Sequence, residues 1–265
     1  MKTKQSISIL PLLIMGVFLV FASSCEKDNN IDITYSTMTD QDGNVYKTVN
    51  IGTQVWMAEN LKTTKYADGT PIALVNTTST WLELTETSKA YCWYNDDIAN
   101  KTSYGALYTW AAAMNGAAST SNNPSGIQGV CPTGWHLPSD AEWTQMENYL
   151  ANNGYNYDGT TGGGFDKIAK SLASTSGWFS SSGEGTVGNT DYPAYRNKSG
   201  FTALPGGGRD GEGRFDLVGS NGYWWSATGY YATYVWVRNL CSLYSDVNIL
   251  HSTKDRGFSV RCVKD

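Results

Sequence analysis

The chain has 265 residues, and its net charge of −5, from 19 Lys and Arg against 24 Asp and Glu, argues against nucleic acid as a partner. Charged residues make up only 16% of the chain, whereas Gly, Tyr and Trp number 28, 17 and 10, which excludes a coiled coil or a disordered tail. Such a composition is typical of short strands joined by many turns.

The first 24 residues have the order of a secretory signal peptide. Lys2 and Lys4 precede a mostly apolar run over residues 7–21, and small residues at 22–24 lead directly into Cys25. The apolar run is shorter than the roughly 20 residues needed to span a bilayer. Small residues before a lone early cysteine resemble a lipobox. We therefore predict that residues 1–24 are removed and that Cys25 carries the lipid.

Residues 25–36 are predicted to be the lipidated cysteine and a flexible tether, because residues 26–30 are all charged or polar. Acidic residues after a lipidated cysteine resemble the surface-export signal of some Gram-negative lipoproteins. The expected location is the cell envelope, with the lipid in the outer membrane; whether the protein reaches the cell surface stays open. One domain is predicted over residues 37–265.

Four cysteines remain in the predicted mature chain: Cys92, Cys131, Cys241 and Cys262. An even number in an exported protein predicts two disulfides, with three pairings open. A zinc site is disfavoured because the chain has no Cys-x-x-Cys and only two histidines.

The predicted elements run from strands, through helices, to a second set of strands. Hairpin strands at 37–39 and 45–49 flank Asp42-Gly43, and further strands are expected at 54–57 and 91–94. Apolar spacing predicts a helix over 104–115, a capping box at residues 139–142 opens another, and a short one covers 166–173. Later strands are predicted at 201–204, 222–228, 233–240, 245–250 and 257–263. This order predicts an α+β fold whose second half is an antiparallel meander.

Several motifs in fixed order resemble the Fibrobacter succinogenes major paralogous domain family. They are Asp42–Tyr46, Ile51–Leu61, Tyr104–Tyr108, Cys131–Ser139, Tyr223–Thr228 and Phe258–Cys262. The resemblance runs from about residue 37 to the end of the chain. It implies an exported, often lipid-anchored protein of Bacteroidetes-like bacteria, and it implies no biochemical role.

A more distant resemblance concerns the fold. Cys131-x-x-Gly-Trp-His-Leu before a capped helix is similar to a segment of C-type lectin domains, and the last strand is similar to the end of the formylglycine-generating enzyme fold. This resemblance implies a C-type-lectin-like fold of antiparallel strands, two or three short helices and long loops. It implies a Cys131–Cys262 disulfide, which leaves Cys92 and Cys241 as a second pair.

The sequence does not predict an enzyme. Formylglycine-generating enzymes use a closely spaced cysteine pair, but Cys241 and Cys262 are 21 residues apart, and the related sulfoxide synthases need three histidines where this chain has two. A Ser-His-Asp triad stays open, although His136 is expected to be structural and His251 solvated. Residues 206–211 fit G-x-G-x-x-G, but no helix pattern follows, so we predict a turn-rich loop rather than a dinucleotide site.

Two acidic clusters are the candidate metal sites. Calcium takes six to eight oxygens from flexible loops. The first cluster comprises Asp210, Glu212 and Asp216, and the second Asn95, Asp96 and Asp97. Neither has an EF-hand spacing, so solvated turns are the default interpretation and no cofactor is predicted.

Aromatic residues crowd the stretch 223–244 and supply the candidate ligand site. In a strand, Tyr234, Trp236 and Arg238 share one face and Val235 and Val237 share the other. If the valines point inward, the aromatic rings are exposed and suit sugar rings or a protein partner.

We therefore predict a ligand site at Tyr231, Tyr234, Trp236 and Arg238. Aromatic packing within the sheet is the alternative.

The function expected from these features is a non-enzymatic binding module for a glycan or an extracellular protein, held at the membrane by its lipid. Two alternatives stay open: a structural component of the envelope or a pilus tip, and an enzyme of the same fold with an unfamiliar site.

The lipid anchor can be tested directly. A Cys25→Ala variant should fail to incorporate a palmitate analogue in cells, because the acylated thiol is gone. Labelling of the variant equal to that of the unmodified protein would contradict the anchor assignment.

Overall fold

The computed structural model describes residues 1–2 and 33–265. Residues 3–24 of the predicted signal peptide, Cys25 and residues 26–32 of the predicted tether lie outside the described residues. Within the described part of the chain, no helix has both the length and the apolar character needed to cross a bilayer.

The strands and helices are short, and most are joined by long loops. The strands are β1 (Tyr35–Thr39), β2 (Val45–Ile51), β3 (Gln54–Met57), β4 (Ala73–Leu74), β5 (Ala90–Trp93), β6 (Ala106–Tyr108), β7 (Trp135–His136), β8 (Gly206–Arg209), β9 (Phe215–Val218), β10 (Asn221–Gly229), β11 (Tyr234–Cys241), β12 (Asn248–Thr253) and β13 (Val263–Lys264). The helices are α1 (Thr78–Trp81), α2 (Asn100–Tyr104), α3 (Trp110–Ala113), α4 (Asp140–Asn152) and α5 (Ala169–Leu172), with 3₁₀ turns at Tyr94–Asp96 and Pro193–Tyr195.

The strands form three sheets, and most neighbouring strands are antiparallel. The orders are β1-β2-β3-β13-β7, β12-β11-β10-β8-β9 and β4-β5-β6. Only the β8–β10 and β4–β5 pairs are parallel among these strands. The predicted α+β class is therefore confirmed, and β10, β11 and β12 form the predicted antiparallel meander.

Two local predictions are confirmed at the level of single hydrogen bonds. In the β1–β2 hairpin, the Asp40 carboxylate accepts from the backbone N–H of Asp42 and of Asn44, both at 2.9 Å. At α4, Ser139 Oγ accepts from the Glu142 N–H at 3.2 Å, and Glu142 Oε2 accepts from the Ser139 N–H at 2.9 Å. This reciprocal capping satisfies two N–H groups at the start of the longest helix described here.

Two hydrophobic clusters lie on opposite faces of the strands. Trp224 belongs to the cluster that contains Trp56 and Trp143, whereas the next residue, Trp225, belongs to the cluster with Tyr108 and other residues. Alternation along a strand explains how neighbours enter different clusters. Both indoles are fully buried.

A buried arginine joins the two halves of the chain. Arg261 is 0% exposed, and its Nε donates to Asn60 Oδ1 at 2.9 Å. Its other donors reach the carbonyl oxygens of Met57, Phe201 and Thr202. Asn60 Oδ1 also accepts from Trp224 Nε1 at 3.0 Å. Burial lowers the pKa of Arg261 to about 9, so the guanidinium remains charged at neutral pH.

One of the two predicted disulfides is present. Cys131 and Cys262 are bonded, with Cα atoms 5.9 Å apart, and the bond ties the segment before α4 to the last strand. The pairing of Cys92 with Cys241 is wrong, because both are free buried thiols. Cys92 lies in β5 of the small sheet, whereas Cys241 ends β11 in another sheet. Burial raises the pKa of the Cys92 thiol to about 12, which makes it unreactive at neutral pH.

The predicted helix over 104–115 is wrong. Gly105 has φ of +77° and breaks the helical path, residues 106–108 pair with β5, and only Trp110–Ala113 is helical beyond them. Tertiary pairing overrides the helical spacing here, since Tyr108 also exchanges backbone hydrogen bonds with Phe258.

Four later boundaries differ from the prediction. Residues 201–204 contribute only the bridge between Ala173 and Ala203, whereas the predicted loop at 206–209 is strand β8. Strand β9 follows it, so the predicted turn-rich loop over residues 206–211 is wrong at 206–209, where the chain forms a strand. The strand predicted at 245–250 lies at Asn248–Thr253. The strand predicted at 257–263 is replaced by isolated bridges at residues 257–259, which precede β13.

The Arg261 network predicts a large stability loss on truncation. Arg261→Met should lower the free energy of unfolding by about 3 kcal/mol or more, because several buried acceptors lose their donor. Urea unfolding measures this, and Lys264→Met, which removes an exposed positive charge nearby in sequence, is the control. Equal stability of the two variants would show that the buried guanidinium is dispensable.

Candidate functional site

An exposed aromatic cluster lies where the β10–β11 hairpin meets the edge strand β12. Strand β10 ends at Gly229, and the N–H groups of Tyr230 and Tyr231 both donate to the carbonyl oxygen of Tyr234, which closes the turn. The β11–β12 register places Trp236 opposite His251. We call the set Tyr230, Tyr231, Tyr234, Trp236 and His251 the aromatic platform.

The platform rings pack on one another around Tyr230. Its ring centroid lies 4.3 Å from that of Tyr231, 4.4 Å from that of Trp236 and 4.8 Å from that of His251, with the His251 ring nearly parallel. Tyr234 meets His251 edge to face at 5.2 Å. This packing fixes the rings before any ligand arrives, which reduces the entropy lost on binding.

Three of the four predicted ligand residues belong to the platform. Tyr231 is 70% exposed and Tyr234 38% exposed, whereas Trp236 is half-buried. Val235 and Val237 are buried, which confirms that the valine face points inward. The expectation that His251 is simply solvated is incomplete, because its ring is exposed but stacked on Tyr230.

The fourth predicted residue, Arg238, is not available to a ligand. Its side chain is fully buried, and it donates to Glu147 Oε1 at 2.6 Å and to Asp140 Oδ1 at 2.5 Å. Both carboxylates come from α4, which packs over Arg238 on β11. Strand periodicity correctly places Arg238 on the face of Trp236, but it does not reveal which element covers that face.

A cleft of about 330 Å³ opens beside β12 and has an apolar floor. Tyr223 and Phe258 stack within it, with centroids 4.8 Å apart. It is lined by Tyr223, Tyr234, Val237, Leu250, His251, Ser252, Thr253, Arg256 and Phe258. Sequence reasoning missed this cleft because Phe258 comes from a segment that only the fold brings to the meander.

Three of the six predicted metal residues are engaged in ion pairs with arginines. Arg214 Nη2 lies 2.9 Å from Asp210 Oδ2 and 2.9 Å from Glu212 Oε2, whereas Asp216 lies on β9. In the second cluster, Asp96 pairs with the buried Arg209 at 2.9 Å. In the described part of the chain, no group of three or more Cys, His, Asp or Glu side chains is arranged to hold a metal ion.

His136 is buried between two carboxylates. Its Nε2 lies 2.6 Å from Glu142 Oε1 and its Nδ1 lies 2.7 Å from Asp265 Oδ1. Because both partners are acceptors, both ring nitrogens donate and the ring is an imidazolium. Burial alone would lower the pKa of His136, but these hydrogen bonds outweigh it and raise the pKa above its ordinary value. The ring is therefore a structural cation that links β7, α4 and the chain end.

Comparison with known proteins supplies the family. The model of the Fibrobacter succinogenes major domain matches residues 49–264. The chain belongs to the Fibrobacter succinogenes major domain family. No curated protein and no solved structure matches the chain.

The motifs that carry the family resemblance form the core of this family member. Asn60, Trp224 and Arg261 each come from a different motif and meet in one buried network. Cys131 and Cys262 come from two motifs and form the disulfide. The platform residues 230–236 lie outside those motifs. The shared motifs therefore account for the fold, and the candidate site is built on segments next to them.

The His136 contacts predict a pH-dependent stability difference. Because the folded-state pKa of His136 is raised, its contacts contribute fully to stability below the ordinary histidine pKa of 6.5. This contribution is lost as the pH rises through the folded-state pKa. Burial alone would raise the pKa of Glu142, but hydrogen bonds from His136 and Ser139 lower it, so the Glu142 contribution to stability is lost only as the pH falls below 4.5. The stability gap between the unmodified protein and His136→Gln should therefore be larger at about pH 5.5 than at about pH 9.

Urea unfolding at both pH values measures this gap. His251→Gln is the matched control, because that ring packs on aromatic side chains rather than on carboxylates. A gap that is constant with pH, or that widens toward alkaline pH, would contradict the imidazolium assignment.

Proposed function

We propose that this protein is a lipid-anchored binding module of the cell envelope whose aromatic platform binds a glycan. The observation that carries the proposal is a preorganised set of five rings, one of them 70% exposed, two of which, Tyr234 and His251, also line the cleft at β12. Flat aromatic faces stack on the apolar faces of sugar rings, while nearby polar groups bind hydroxyls. The signal-peptide pattern and the cysteine at position 25 support an outer-membrane location.

The role we propose is non-catalytic. Three buried titratable side chains are used inside the fold: Glu147 pairs with Arg238, and Glu142 pairs with His136. None of them contributes to the aromatic platform. A C-type-lectin-like fold, as the motif around Cys131 implies, would agree with a recognition role, but fold kinship alone does not establish function.

Binding of the purified full-length protein to a glycan array tests the proposal. We expect saturable binding that persists with a calcium chelator, since the platform supplies rings rather than a cation site. Tyr231→Ala should weaken binding about fivefold or more, as truncation of an aromatic anchor usually does. Trp236→Ala should do the same, with folding checked by urea unfolding.

The matched control is Phe179→Ala, because Phe179 is 61% exposed but lies outside the platform. It should leave binding unchanged. Equal losses in Tyr231→Ala and Phe179→Ala would show nonspecific adhesion. Failure to bind every glycan on the array would contradict the proposal and would favour a protein partner. Binding that requires calcium would shift the site toward Asp210.

A further inference from the structure

Two cavities next to the platform share three lining residues, and we call the pair the trough. They have volumes of about 390 and 280 Å³, and both are lined by Trp110, Ala117 and Lys254. One end also reaches Glu86, Lys89 and Met114, and the other reaches Ser119, Gly229 and Tyr231. Tyr231 belongs to the aromatic platform as well. The trough therefore begins at the platform and runs away from it across α3.

The floor of the trough is a fixed indole. Trp110 opens α3, whose N-terminus is capped by Thr109, and its Nε1 donates to the carbonyl oxygen of Ser226 at 2.9 Å. Its only polar atom is used inside the fold, and the ring is 7% exposed, so it offers the trough a small apolar area. Ala117 is partly exposed and adds to this area, whereas Met114 is buried.

The rim of the trough carries more positive than negative charge. Its charged side chains are Lys89, Lys254 and Glu86, in a protein whose net charge is −5. Lys254 Nζ lies 5.4 Å from the centre of the Trp110 ring and 3.6 Å from Glu86 Oε2, and it donates to the Ala232 carbonyl oxygen. Lys89 Nζ donates to Asn115 Oδ1 at 2.9 Å. These contacts hold both ammonium groups at the trough. Lys89 keeps donors for a ligand, because an ammonium has three, whereas at Lys254 an acid group would take the place of Glu86.

We infer that the trough extends the glycan site and selects an elongated acidic saccharide, whose rings carry carboxylate or sulfate groups. This inference rests on the proposed function of the platform. A sugar ring stacked on Tyr231 would continue as a chain over Trp110, and an acid group on a following ring would reach Lys254 or Lys89. Neutral or very short saccharides would use the platform alone.

The test uses matched pairs of oligosaccharides and the full-length protein, with a chelator present throughout. The members of each pair share one saccharide backbone. In the first pair, a uronic acid chain carries free carboxylates or their methyl esters. In the second pair, a chain is sulfated or desulfated. Each is tested at two and at six rings. We expect six-ring acidic members to bind more tightly than their neutral partners, and we expect a smaller difference at two rings.

Lysine variants show which side chains cause the preference for acidic saccharides. Lys89→Gln should weaken binding of the acidic six-ring member about two- to fivefold, the size expected for one partly exposed ion pair, and should leave the neutral member unchanged. Lys254→Arg keeps the charge and should retain the preference, whereas Lys254→Gln should reduce it. The control is Lys264→Gln, an exposed lysine at the chain end that lies outside both cavities.

The outcomes separate this inference from the proposed function. Equal affinity for acidic and neutral members, with binding still lost in Tyr231→Ala, would overturn the acidic trough and leave the platform in place. A preference that survives Lys89→Gln and Lys254→Gln together would place the acid group elsewhere, which also overturns it. Absence of binding to every saccharide overturns both. The carboxylate and sulfate pairs show which acid group is recognised.

Discussion

The fold depends on a buried guanidinium whose hydrogen-bond partners are all neutral. Arg261 is paired with the Asn60 side chain and with backbone carbonyls from the end of β3 and from residues 201–202, so it holds these distant segments together. A buried charge is costly unless every donor is satisfied. The Cys131–Cys262 disulfide anchors the same terminal segment, and together they fix β13 between β3 and β7.

The sequence predicted features whose cause is local. The Asp42-Gly43 hairpin, the capping box of α4 and the inward valines of β11 each depend on residues close in the chain. The failures have non-local causes. Residues 106–108 are a strand because β5 and Phe258 pair with them, and Cys92 and Cys241 stay apart because their sheets differ. The Cys131–Cys262 pairing came from fold resemblance rather than from spacing.

The candidate site shows the same contrast between local features, which the sequence predicted, and non-local contacts, which it did not. Period-two alternation identified Tyr234 and Trp236, but it included Arg238, which Glu147 holds from a helix 91 residues away. The trough joins Trp110 to Lys254, and no pattern in either segment indicates that they meet. The motifs that carry the family resemblance fill the core, whereas residues 229–233 lie outside the Arg261 network.

The most direct test of this account is an NMR titration of the ¹⁵N-labelled protein with a six-ring acidic oligosaccharide, the ligand class proposed above. The account predicts that the Trp236 indole N–H and the amides of residues 229–234 shift, while the indole signals of Trp56, Trp224 and Trp225 stay in place. Shifts centred on those buried indoles, or on the Asp210 loop with the platform silent, would contradict it.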